Sequence, residues 1–137
     1  MLHASSFDHD ARVSWKSVRL ELARSPEFPR GSASRAFLLR LPLCNDGSID
    51  CEAINLNESQ ATVRRFWASE PDSLGKIVRS DGEWSLRFGS DTSAGFRMPD
   101  DKLVVDQAIS IQGPDGVELP FRVISIAPLG RLPSHAS

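Results

Sequence analysis

At 137 residues the chain has the length of one ordinary domain, enough to bury roughly two thirds of its unfolded surface without a disulfide framework or a structural metal. Its 40% hydrophobic and 25% charged residues exclude wholesale disorder. A net charge of -2 and a pI near 5.9 argue against a general nucleic-acid or membrane-surface binder.

Residues 1–12 are polar and unpatterned and read as a tail. They hold no apolar run of the kind an export signal needs, and no stretch approaches the roughly 20 apolar residues that span a bilayer. A cytoplasmic location is the default expectation. The patterned domain is expected over residues 13–127, with residues 128–137 (PLGRLPSHAS) as a second tail. Ser17 to Ala23 alternates with Val18, Leu20 and Leu22 on one face, and Ala36 to Leu43 with Phe37, Leu39, Leu41 and Leu43, which predicts two strands. The intervening stretch, broken by Pro26, Pro29 and Gly31, is a loop. Pro42 lacks an amide donor, so the second strand is expected at a sheet edge or to end there.

Asn45-Asp46-Gly47 signals a turn. After it Asp50 is placed to cap a short helix over residues 51–57, with Ile49 and Ile54 spaced as a hydrophobic staple. Six further strands are predicted at Ala61 to Ala68, Gly75 to Arg79, Trp84 to Phe88, Gly95 to Met98, Ala108 to Gln112 and Val117 to Ile126. Ser80-Asp81-Gly82-Glu83 and Gly113-Pro114-Asp115-Gly116 read as hairpin loops, because Asp-Gly readily supplies positive φ. Short strands at hairpin spacing with no helix between them predict an all-β fold, a mostly antiparallel small barrel or sandwich of about six to eight strands. Val18, Leu20, Leu22, Phe37, Leu39, Leu41, Trp84, Leu86, Phe88, Ile109, Ile111, Phe121 and Val123 are the expected core. Trp67 is expected to join it and, with Trp84, to pack one end of the barrel.

Arginine is the one chemically distinctive residue. Thirteen of the sixteen basic residues are Arg, and five sit between apolar neighbours: Val18-Arg19-Leu20, Leu39-Arg40-Leu41, Leu86-Arg87-Phe88, Phe96-Arg97-Met98 and Phe121-Arg122-Val123. Alternation along a strand sends the apolar pair to one side and the guanidinium to the other. On neighbouring strands such groups would form a ladder suited to carboxylate or phosphate. Alternatively they merely wet the sheet, paired with acids such as Glu21 and Glu83. The distribution of charge is uneven: residues 11–44 are net +5, whereas residues 45–58 carry four acids and no base.

Other chemistry is sparse. Arg64-Arg65-Phe66-Trp67 has the ingredients for stacking on single-stranded nucleic acid, which the net acidity opposes. His3, Asp8, His9 and Asp10 offer metal ligands, but on a tail with nothing rigid to orient them, and the acids around Asp46 lack the spacing of a calcium loop. Cys44 and Cys51 match neither a Cys-x-x-Cys nor a zinc pattern and read as inert thiols. Residues 89–95 (GSDTSAG) lack the order of a phosphate loop or nucleophile elbow and read as an inter-strand loop. No histidine lies within the patterned domain, so no catalytic pair can be nominated and no motif asks for a cofactor.

The expected function is a non-catalytic binding or adaptor module. Its Arg-bearing face, drawn from Arg19, Arg40, Arg64, Arg65, Arg87 and Arg122, would receive an acidic protein segment or a small anion. A small enzyme or ligand-binding barrel with its site in the barrel mouth is the first alternative, and a weak single-stranded nucleic-acid binder the second. Nothing in the sequence fixes the oligomeric state.

Overall fold

A computed structural model describes residues 14–24, 32–67, 70–88 and 95–129. The expected N-terminal tail with His3, Asp8, His9 and Asp10 lies outside the described residues, as do residues 25–31, residues 89–94 and the C-terminal residues from 130 on.

Eight antiparallel strands form a closed barrel: β1 (Ser14–Leu22), β2 (Ser32–Leu43), β3 (Thr62–Trp67), β4 (Ser73–Ser80), β5 (Glu83–Phe88), β6 (Gly95–Pro99), β7 (Ala108–Gln112) and β8 (Glu118–Pro128). Each pairs with the next in sequence, and β8 returns to pair with β1. Two register shifts in β1, at Arg19/Leu20 against β8 and at Glu21/Leu22 against β2, bend that strand between its neighbours. The last strand runs past the expected domain end: the amide of Leu129 still donates to Trp15 O at 3.0 Å.

Alternation sorts the side chains. Val18, Leu20, Leu39, Leu41, Leu86, Ile109, Ile111 and Val123 face inward and are essentially inaccessible, so the barrel interior is filled, as eight strands generally allow. Every expected core residue is buried except Phe88 and Trp67, which are half-buried because β5 and β3 end at them, at the rim. Ile77, Met98, Val63 and Leu103 are among the core residues beyond those expected.

Turn chemistry sets the hairpins. Asp81 and Gly82 both adopt positive φ, 51° and 80°, as a two-residue turn between right-twisted strands requires. In the β7–β8 loop the Gly113 amide donates to Val117 O and Asp115 Oδ1 accepts from the Val117 amide. The turn at residues 45–47 is closed by Asp46, whose carboxylate accepts from the Ser48 hydroxyl at 2.6 Å and amide at 3.0 Å. Those two bonds, hydroxyl first, lower its pKa to about 2.

Asp50 caps helix α1 (Cys51–Leu56), accepting from the Ala53 amide at 2.9 Å, and a 3-10 turn (Glu58–Gln60) follows. Ile49 and Ile54, on either side of the cap, are both buried in the core. Pro42 is not at the edge of the sheet, since the barrel is closed. It lies beyond Arg40, the last β2 residue paired with β3, so its missing donor interrupts no β2–β3 ladder, and its carbonyl accepts from the Asp50 amide.

At one end of the barrel β1, β3, β5 and β7 finish and β2, β4, β6 and β8 start, and the other end carries α1, the Asp81-Gly82 turn and residues 100–107. Trp67 and Trp84 belong to opposite ends, which corrects the expectation that they pack together. Trp67 closes β3 at the first end, whereas Trp84 opens β5 at the second. No helix among the described residues is long and apolar enough to cross a membrane.

Candidate functional site

Strand register decides which cations meet. Residues directly opposite one another on adjacent strands share a face, with β-carbons roughly 5 Å apart. Arg40 on β2 lies opposite Thr62 on β3, Thr62 opposite Lys76 on β4, and Lys76 opposite Arg87 on β5. One outward-facing row therefore reads Arg40, Thr62, Lys76, Arg87 across four strands. Two residues along β3 from Thr62 is Arg64, and two along β5 from Arg87 is Ser85, which faces Arg97 on β6. Five cations thus share the outer surface of β2 to β6.

Their lack of carboxylate partners separates this face from an ordinary wet sheet. Among the described residues Arg40, Arg64, Lys76 and Arg87 make no ion pair, and Arg97 reaches only Glu83, at 3.9 Å between exposed side chains. The Arg40 Nε is buried and without a hydrogen bond among the described residues. Between the cations are apolar groups: Leu38 and Phe66 half-buried, Leu74 well exposed. The Arg64 guanidinium carbon sits 6.0 Å from the Phe66 ring centroid, at the limit of a cation–π contact.

The six arginines singled out from the sequence do not form one group. Arg40, Arg64 and Arg87 are on this face. Arg19 is outward too, but its Nε donates to Glu21 at 2.8 Å, and Arg122 lies directly opposite the same Glu21 on β8, so that corner is partly neutralised. Arg65 is not on the outer face at all. It lies opposite inward-facing Phe37, so alternation turns it into the mouth at the first end, where it bonds Glu70 at 2.8 Å and lies 5.0 Å from the Trp67 ring and 5.7 Å from Phe88. The same alternation splits Arg64 and Phe66 from Arg65 and Trp67, so the four do not make one stacking surface for bases. Lys76 and Arg97 were missed as site residues. Both carry a signal: Lys76 alternates with inward Ile77 as the arginines do with their neighbours, and Arg97 lies between Phe96 and Met98.

The mouth itself is aromatic. Phe37, Trp67, Phe88, Phe96 and Phe121 pack there, with Phe37 within 5.3 Å, centroid to centroid, of Trp67, Phe96 and Phe121. A shallow cleft of about 470 Å³ opens above them, bordered by Arg35, Ile111 and Leu119. Among the described residues no group of three His, Cys, Asp or Glu side chains is placed to hold a metal. Both cysteines are free thiols; the Cys51 sulfur accepts from Arg79 at 3.4 Å. No protein-family model, curated protein or solved structure matches the chain.

Proposed function

We propose that this barrel is a non-catalytic binding module whose outer β2–β6 face receives an acidic segment of a partner protein. The observation that carries the reading is the row Arg40, Lys76, Arg87, flanked by Arg64 and Arg97, whose only carboxylate contact among the described residues is the long one to Glu83. Like charges set side by side repel one another, so a face of this kind is most stable when an anion lies across it. An extended acidic chain presents a side chain about every 7 Å on one side, against about 10 Å from Arg40 to Lys76 and about 5 Å from Lys76 to Arg87, differences that long flexible side chains span. Phe66 and Leu74 add apolar contact between the charges, which favours a peptide over a bare ion.

Fluorescence anisotropy of a labelled poly-glutamate peptide tests the proposal. Changing Arg40, Lys76 and Arg87 together to Gln should weaken binding by about tenfold or more, with added salt weakening the parent protein's binding in the same direction. Changing Arg19 and Arg122 to Gln should leave it within about twofold. Equal losses in the two variants, or affinity indifferent to salt, would overturn the reading.

A second reading, a small-molecule site in the mouth, is favoured by the aromatic cleft beside Arg35. Titration with small aromatic carboxylates, read by Trp67 fluorescence in a Trp84→Phe and Trp15→Phe background, tests it; an unchanged signal removes it.

A further inference from the structure

The outer face ends in a cleft with a chemistry of its own. Strands β5 and β6 are joined by five directly paired residues, Glu83 to Arg87, but β6 and β7 pair at Arg97↔Gln112 alone. Gly95 and Gly113 bring no side chains to the walls, and a cleft of about 350 Å³, lined in part by Phe96, opens along this seam. Among the described residues its polar lining consists of Arg87, Arg97, Ser80, Ser85 and Gln112, with no carboxylate. Gln112 Nε2 is already engaged with Gly116 O at 3.2 Å, which ties the β7–β8 loop to the wall.

Register places the donors. Ser85 is directly opposite Arg97 and two residues from Arg87 on the same strand, so it shares one face with both arginines. The Glu83 contact, at 3.9 Å, engages one Arg97 nitrogen and leaves the rest of a five-donor fork open. Two planar forks and two hydroxyls offer more donors than the two oxygens of a carboxylate use. They suit the three oxygens and nearly double charge of a phosphate monoester.

Arg87 belongs both to this cleft and to the cationic row, so a chain lying along the row from Arg40 reaches the cleft at its end. The geometry points to the seam cleft as the seat of a phosphorylated side chain carried by the acidic segment, an inference that rests on the outer-face reading proposed above. The partner is then an acidic phosphopeptide rather than an acidic peptide of any kind, and phosphorylation of the partner regulates its capture.

Three labelled probes test this by anisotropy: a poly-glutamate peptide with one central serine, the same peptide phosphorylated there, and the same peptide with glutamate at that position. The phosphorylated probe should bind about tenfold tighter than either of the others. Arg97→Gln, at an exposed position, should reduce that gain to about twofold or less, while weakening the unphosphorylated probe only as much as Arg64→Gln does. Arg97→Lys should retain only part of the gain, because it keeps the charge and loses the fork. Arg64→Gln, outside the cleft, should weaken all three probes equally. Equal affinity for the phosphorylated and glutamate probes, or a gain that survives Arg97→Gln, overturns the cleft while leaving the outer-face reading intact. A phosphorylated probe that binds while the others do not supports the cleft and overturns the general acidic reading. Binding of none overturns both. Free phosphoserine competing as well as the phosphorylated probe overturns the assignment to a protein segment.

Discussion

Asp100 is the best single place to perturb the barrel, because two neighbours use its two oxygens differently. The indole of Trp84 is completely buried, and its Nε1 donates to Asp100 Oδ1 at 3.0 Å. Arg79 donates to Oδ2 at 2.8 Å from a half-exposed position and stacks over the same indole at 5.0 Å. Asp100→Ala strips the acceptor from a buried donor, at about 1–3 kcal/mol, and removes an exposed ion pair of about 0.2–1 kcal/mol, so a loss of about 2–3 kcal/mol is expected. Asp100→Asn keeps an oxygen for the indole and loses only the ion pair, so it should cost less than about 1 kcal/mol. Acid sensitivity separates them further. Burial disfavours the charged carboxylate, but the bonds from Trp84 and Arg79 outweigh it and hold Asp100 below the ordinary value of 3.8. A depressed carboxylate contributes fully above its ordinary pKa and loses that contribution as pH falls through the folded-state value. Urea denaturation at about pH 6 and about pH 3 should therefore show the parent protein losing more stability on acidification than Asp100→Asn does. If Asn costs as much as Ala at the higher pH, the indole bond is not what Asp100 supplies and the reasoning fails.

Other positions give sharp expectations. Leu39→Ala, at a site with no exposure, should cost about 2–5 kcal/mol in chemical denaturation, and a loss below 1 kcal/mol would mean the interior is looser than its burial indicates. Gly75→Ala should be comparably harmful although it adds one methyl, because a β-carbon there would collide with the Arg87 carbonyl oxygen; a thermal melt unchanged by the substitution contradicts that contact. Replacing both Cys44 and Cys51 with Ser should leave the melting temperature nearly unchanged in reducing and oxidising buffer alike, since both are free thiols; a drop confined to oxidising buffer would reveal a disulfide.

The period-two alternation of Val18, Leu20 and Leu22 and its counterparts was enough to read nearly every strand, because a half-buried strand leaves its mark residue by residue. Asp50 and Asp81-Gly82 were readable for a related reason: caps and tight turns depend on local chemistry. Closure was not readable, nor was the number of strands beyond a range, since the return of β8 to β1 is a pairing between distant residues. The arginine face shows the same divide. That Arg40, Arg64 and Arg87 point outward follows from their immediate neighbours. That Arg40 lines up with Lys76 and Arg87, while Arg19 falls beside Glu21, depends on register across strands, which no local pattern specifies. Arg65 misled because Thr62 to Trp67 carries apolar side chains on both faces, so its inward side could not be told from composition.

The single pairing between β6 and β7 also governs how the barrel comes apart. Strands stitched along their whole length open together, whereas a ladder reduced to one rung lets its two sides part at small cost. Backbone amides of β6 that face β7 should therefore exchange their hydrogens for deuterium well before those of β2 or β5. When the seam parts it exposes two strand edges, each able to template pairing with another chain. Arg97, exposed on β6, and Pro99, which has no amide hydrogen to offer, make that edge a poor template, so the opening favours a passing fluctuation over a route to aggregation.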